Sequence, residues 1–473
     1  MAFSSLSFLL IFLPMVLVVN LALRKIWLQN IFLLLASLFF YAWGEGILVL
    51  IMLFSILSNY LFGLAIDRAT AVRRQQIFWL SIMANLGLLF VFKYANFFVE
   101  NLNYLLPALG LSTVTWEAIQ LPIGISFFSF QAMSYLIDLY YRKHPVQRNP
   151  FHLALYIALF PQLIAGPIVR YIDVYAQIKQ RSQSLEQYAS GLRRFMIGLA
   201  KKVLIADSLG LMTDIIFALP ADEWTVALAW LGMLCYSLQI YFDFSGYSDM
   251  AIGLGRVLGF KFIENFNYPY IAQSIQDFWR RWHISLSTWF RDYLYFPLGG
   301  NRKGLGRTYF NLVIVFLLCG IWHGASWNFV VWGLFHGCFL VIERAGFKNF
   351  LARLPMLLRR FYTLFTVMIA WVFFRAADLA EALAYLKAMF GMQELTTNQN
   401  YWNLYVDGEL YFTLALGLIL STPIYLKVQT YVAKKEQASS YRIVENLFLA
   451  LLFGITVATL MGGAYNPFIY FRF

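Results

Sequence analysis

Residues 277–307 read DFWRRWHISLSTWFRDYLYFPLGGNRKGLGR, and residues 319–337 read CGIWHGASWNFVVWGLFHG. The first stretch holds the densest run of arginines in the chain; the second is largely apolar and carries His323 and His336. A cationic, aromatic segment feeding an apolar span places this part of the chain at the edge of a bilayer and then inside it.

Composition extends that reading to the whole chain. Of 473 residues, 61% are hydrophobic and 13% charged. The apolar residues fall in runs of roughly 16–22, about the length that crosses a bilayer. The class is an all-α polytopic membrane protein. A net charge of +12 could point to nucleic acid, but the lysines and arginines sit in short loops between apolar runs, as the positive-inside rule requires. Cys235, Cys319 and Cys338 lie within apolar runs without CxxC spacing, which gives neither a disulfide framework nor a metal site.

The first apolar run, about Leu6 to Leu23, has no basic residue before it and is read as a retained helix, not a cleaved leader. Arg24 and Lys25 follow it, and Arg68, Arg73 and Arg74 follow the third run. This charge placement puts the N-terminus outside, and the alternation then makes Lys93 to Glu117 an outer segment. Between Phe151 and Val169 the sequence FPQLIAGP breaks an apolar run. Two readings stand: a re-entrant piece lining a cavity, or a proline-kinked packing helix.

The run from Trp224 ends in YFDFSGYSD, which gathers Asp243, Ser245, Tyr247, Ser248 and Asp249. Carboxylates at membrane depth are costly and mark tunnel or ion-path positions. The plainer alternative is that Asp243 and Asp249 pair with Arg256 or Lys261 to fix a broken helix.

Read as one helix, residues 279–291 place Trp279, Trp282, Leu286 and Trp289 on one stripe and Arg280, His283, Ser287 and Arg291 on the next. Among arginines a charged imidazole is disfavoured, so His283 is expected to be neutral and available as a hydrogen-bond partner or base. The alternative is an interfacial histidine that snorkels. In LGGNRKGLGR, Gly299, Gly300 and Asn301 with Arg302, Lys303 and Arg307 can offer backbone N–H groups and cations to a donor's phosphates. A cytoplasmic basic turn is the other reading.

His323 is expected inside a helix from about Tyr309 to Trp327, with Gly320 and Gly324 clearing space beside it. On a continuous helix His336 would face elsewhere and serve in helix packing. About twelve crossings are counted in all, ending outside in a last run from about Asn446 to Gly462 and the tail AYNPFIYFRF. The chain reads as one membrane domain over 1–473, with 446–473 as final helix plus aromatic tail.

FDFSGYSDMAIG, NFNYPY, FWRRWHISLSTWFRDYLYFPLGGNR and GIWHGASWNFVVWGLFHG together resemble the membrane-bound O-acyltransferase family, most closely its bacterial branch that acetylates exported polysaccharides. The resemblance implies many helices around a tunnel and catalytic roles for His323 and His283. It also implies acetyl-CoA as cytoplasmic donor, with no metal, an outside acceptor, and an extracytoplasmic SGNH-type acetyltransferase as partner in the bacterial inner membrane. The tail also resembles the aromatic C-terminal motif of the small single-span partner in the D-alanylation system. That likeness, with Pro467 as a stiff exit, makes Tyr470 a candidate acyl relay. Otherwise the tail is an aromatic belt anchor. A transporter or flippase shares the broken helices and midplane polar groups, although the sequence lacks its inverted repeat. A purely structural export subunit would leave His323 without purpose.

Overall fold

A computed structural model describes residues 2–392, 402–433, 438–463, 468 and 469. Among them every regular element is a helix. Seven helical stretches are long and apolar enough to cross a membrane by length and composition, with shorter apolar helices at Phe8–Ala22 and Gly408–Leu420. This is an all-α polytopic membrane protein. The stretches are fewer than the crossings counted from apolar runs partly because Ile26–Arg68 is helical for 43 residues and contains two of those runs. They join at Gly46, where φ is 55°, a backbone that glycine adopts without a Cβ penalty.

The chain divides into two compact units. One comprises Met1–Leu192 with Ala251–Ile263; the other comprises Arg193–Met250 with Glu264–Phe473. In the first, the helix Ile125–Tyr140 is buried along nearly its whole length, so it reads as continuously apolar and small-polar without an amphipathic period. The segment expected to begin an outer loop at Lys93 is instead helical to Leu109, and Lys93 is buried, its ammonium donating to Ser126 Oγ at 3.0 Å. Apolar neighbours on both sides let the helix run past the lone cation.

The broken backbone expected in FPQLIAGP is present. The helix Pro150–Ala158 stops at Leu159, Phe160–Leu163 forms one short turn, and irregular chain follows. Leu155 to Val169 is buried throughout, and backbone and side-chain groups here find protein partners. The Phe160 N–H donates to Ser37 Oγ at 3.1 Å, and the Tyr156 hydroxyl donates to the Val169 carbonyl at 2.9 Å. Irregular backbone away from water requires such satisfaction.

In the second unit, the Val226–Val257 helix, whose residues as far as Met250 belong here, runs unbroken through YFDFSGYSD. This corrects the broken helix considered for that motif. The motif's carboxylates are held by neighbours on the preceding helix. Gly198 and Gly246 make the close approach possible: a Cβ on Gly198 would lie 2.6 Å from the Gly246 carbonyl. The contact brings Lys201 and Lys202 beside the acids. Lys201 Nζ lies 2.7 Å from Asp249, which also pairs with Arg194 at 2.8 Å, while Lys202 Nζ lies 2.7 Å from Asp243. These partners replace Arg256 and Lys261, the pairs considered from sequence.

Candidate active site

His283 and His323 are brought into one aromatic cluster by two breaks in the backbone. The segment 277–291 is not one helix. It forms Ile275–Trp279 and Ile284–Phe290, separated at His283, whose φ of 44° and ψ of 54° are left-handed. A non-glycine residue there is uncommon and marks a position fixed by its surroundings. The break splits the polar stripe: Arg280 and Arg291 are exposed, whereas His283 has no exposed surface. Trp279, Trp282, Leu286 and Trp289 are all buried, so the aromatic stripe faces protein.

Asn265 orders the His283 corner. Its Oδ1 accepts from the Ser285 backbone N–H at 3.1 Å and from Ser285 Oγ at 2.8 Å, which fixes that atom as the amide oxygen. His283 Nδ1 lies 3.2 Å from the same oxygen. Against an acceptor Nδ1 must carry the proton, and Nε2 is then the basic nitrogen. Burial pushes the imidazole pKa down to about 3. Neutrality thus comes from desolvation, not from the arginines expected to enforce it.

His323 sits at a second break. Its helix, Leu305–His323, ends on the histidine itself, and Gly324 is extended with φ −165° and ψ 153°. The expected extension to Trp327 is absent, since a new helix begins there, Trp327–Ile342. The two helices form a hairpin packed through glycines. A Cβ on Gly320 would lie 2.2 Å from the Phe329 carbonyl, and one on Gly333 would lie 2.3 Å from the Phe316 carbonyl. Gly324 is backed by the Phe329 ring. The small residues therefore make room for the second helix, not for a molecule approaching the imidazole.

The hairpin also removes the premise that His323 and His336 face apart. Both rings pack edgewise on Trp332, each with centroids 5.0 Å from it. His323 further touches Trp322 at 5.0 Å and Phe374 at 5.3 Å. Trp322 in turn lies 6.2 Å from His283, whose other face meets Phe244 at 4.7 Å. His336 accepts on Nδ1 from the Trp279 indole N–H at 3.3 Å.

A cavity of about 240 Å³ opens beside this cluster. Trp279, Phe316, Val315 and Cys319 supply an apolar wall, and Arg280, Arg291 and Arg344 also line it. Cys319 is one helical turn before His323, so the cavity wall approaches the histidine end of the helix. Sequence reasoning did not pick out Arg344, which lies beyond both motifs and becomes a wall only when the hairpin folds. The 299–307 loop is a neighbour in sequence but does not line the cavity. Arg302, Lys303 and Arg307 are exposed, and Asn311 Nδ2 pins the loop by donating to the Gly300 carbonyl at 2.9 Å. Gly299 and Gly300 have φ of 105° and 56°. Asn301 is exposed beside them.

Asp243, Ser245 and Tyr247 are buried on the long helix, and Asp249 is partly so. Against this face lie Phe468 and Ile469. The Phe468 ring packs on Tyr247 at 4.9 Å and beneath Lys202 Nζ at 4.7 Å; the Ile469 N–H donates to Asp243 at 3.0 Å. Pro467 and Tyr470 lie outside the described residues. Among the described residues no group of three or more His, Cys, Asp or Glu could hold a metal ion.

The sequence profile of the membrane-bound O-acyltransferase family matches residues 75–384. The chain is 42% identical over its whole length to the whole of a probable alginate O-acetylase AlgI from Pseudomonas putida. It is 46% identical over 84% of its length to that from Azotobacter vinelandii, covering 79% of the relative. To a peptidoglycan O-acetyltransferase from Helicobacter pylori it is 41% identical over 78% of its length, covering 74% of that protein. The chain belongs to the membrane-bound O-acyltransferase family, as a multi-pass enzyme.

Proposed function

We propose that the protein takes an acetyl group from acetyl-CoA at the cytoplasmic face and passes it through the inner membrane to an extracytoplasmic acceptor, for O-acetylation of an exported or cell-wall polysaccharide. The whole chain acts as one membrane domain, with both ends outside and 446–473 serving as final helix and acceptor tail. His323 is the general base. His283, neutral with a basic Nε2, orients or assists it. The 240 Å³ cavity takes the donor's acyl end against Trp279 and Cys319. Arg280, Arg291 and Arg344 meet its phosphates, and Gly299, Gly300, Asn301, Arg302, Lys303 and Arg307 form a cationic approach.

The observation that carries this reading is the buried position of Phe468 and Ile469 against Asp243 and Tyr247. A belt anchor would keep its aromatic rings at the headgroups; here the Phe468 ring is buried in the protein. On the same helix Phe244 meets His283, and Trp322 links His283 to His323. Phe468 thus packs on the helix from which an aromatic path leads to the proposed base.

In the reaction the Tyr470 hydroxyl attacks the thioester carbonyl and gives its proton to His323. The phenolic C–O bond forms, the C–S bond breaks, and the thiolate leaves with the proton. A phenol of pKa near 10 leaves more readily than a sugar hydroxyl, so the acetyl group stays activated for an SGNH-type partner outside. Mass spectrometry of the protein incubated with acetyl-CoA should find acetyl on the C-terminal peptide, and Tyr470→Phe should remove both that label and polysaccharide acetylation. Normal acetylation by Tyr470→Phe would end the relay.

A further inference from the structure

Lys202 is buried with two carboxylates around its single ammonium: Asp243 at 2.7 Å and Asp207 at 2.5 Å. A buried carboxylate is tolerable only when donors fill its lone pairs. For Asp243, Lys202 serves Oδ1 and the Ile469 N–H serves Oδ2. That second donor comes from 226 residues away in sequence. The Phe468 ring closes the same site, face toward Lys202 and edge to face with Tyr247, which adds a cation–π contact.

The cluster is built to be finished by the tail. Gly198 and Gly246 bring the two helices close enough to set Lys202 beside Asp243, and the carboxylate then offers its remaining oxygen to the backbone N–H of Ile469, one residue before Tyr470. We propose that Asp243, held by Lys202, is a positioning residue. It seats the closing segment by its main chain, so that occupancy of this seat sets how often Tyr470 is presented for acylation. This rests on the relay reading. Because the contact is to a backbone N–H, the seat holds the chain beside Tyr470 without calling on a particular side chain at position 469.

Hydrogen exchange on the full-length protein in detergent reads the seat directly. In the wild type the peptide covering 464–473 should be protected. Asp243→Asn removes the charge shared by Lys202 and the Ile469 N–H, and should speed exchange of that peptide about tenfold or more while peptides from 305–342 are unchanged. Ile469→Pro deletes the donating N–H and leaves Asp243 and Lys202 untouched, so it gives the same loss even if the Asn variant misfolds. In both, the Michaelis constant for acetyl-CoA should hold while turnover of Tyr470 acetylation falls by about tenfold or more. Unchanged tail protection in the Pro variant overturns the seat. Loosened tail with undiminished Tyr470 acetylation overturns its positioning role. Tyr470→Phe should keep the tail protected; if that variant also acetylates polysaccharide normally, the relay fails while the seat stands.

Discussion

His283 Nδ1 and Asn265 Oδ1 lie 3.2 Å apart, both buried, at a left-handed corner between two short helices. The contact assigns the proton to Nδ1 and leaves Nε2 as the basic nitrogen of the ring. It also ties protonation to stability, because burial lowers the folded pKa to about 3, against about 6.5 for an unfolded histidine.

The sign of that coupling is fixed. Between those values the unfolded chain binds a proton that the folded protein does not, so this histidine's contribution is complete above about pH 6.5 and is lost as pH falls toward 3. The thermal midpoint in detergent should therefore drop on acidification from pH 6.5 to 4, and less steeply in His283→Gln. Equal slopes would mean that His283 is hydrated and charged in the folded state.

The glycine hairpin makes a steric prediction. Gly320→Ala places a methyl 2.2 Å from the Phe329 carbonyl, whereas Gly306→Ala meets nothing within 4 Å. The first should cost about 1–3 kcal/mol and disturb the His323 corner; the second should be close to neutral. Thermal midpoints and membrane levels of the two variants check this, and a neutral Gly320→Ala would mean that the helices are farther apart.

Cavity arginines and loop cations separate in kinetics. Neutralising Arg280 and Arg344 together should raise the Michaelis constant for acetyl-CoA about tenfold or more, with turnover largely kept. Neutralising Arg302 and Lys303 should give a smaller rise that disappears at high salt, since exposed charges act through a screened field. A larger effect at the loop would move the phosphate site there.

Much of this was legible because membrane burial writes itself into composition. The apolar runs, the break at FPQLIAGP and a buried place for His323 follow from polarity at depth. The errors share one cause: periodicity assumes that a helix continues. Nothing in 279–291 announces that His283 turns left-handed, since the cause is Asn265, a distant acceptor. Likewise Gly320 and Gly324 read as open space until the Phe329 side of the hairpin fills it. The partners of Asp243 and Asp249 were missed because a pair of glycines, Gly198 and Gly246, chose which lysines stand opposite. Arg344 gave no local signal.

The central claim is that His323 is the base. Its most direct test is the acetyl content of exported polysaccharide in cells whose only copy carries His323→Ala, with membrane levels matched and His336→Ala alongside. Removing a general base costs about a hundredfold to ten-thousandfold, so His323→Ala should leave acetylation at background. His336→Ala, which removes the acceptor of the Trp279 indole, should retain a substantial fraction. Wild-type acetylation by His323→Ala, or a comparable collapse in His336→Ala, would contradict the account.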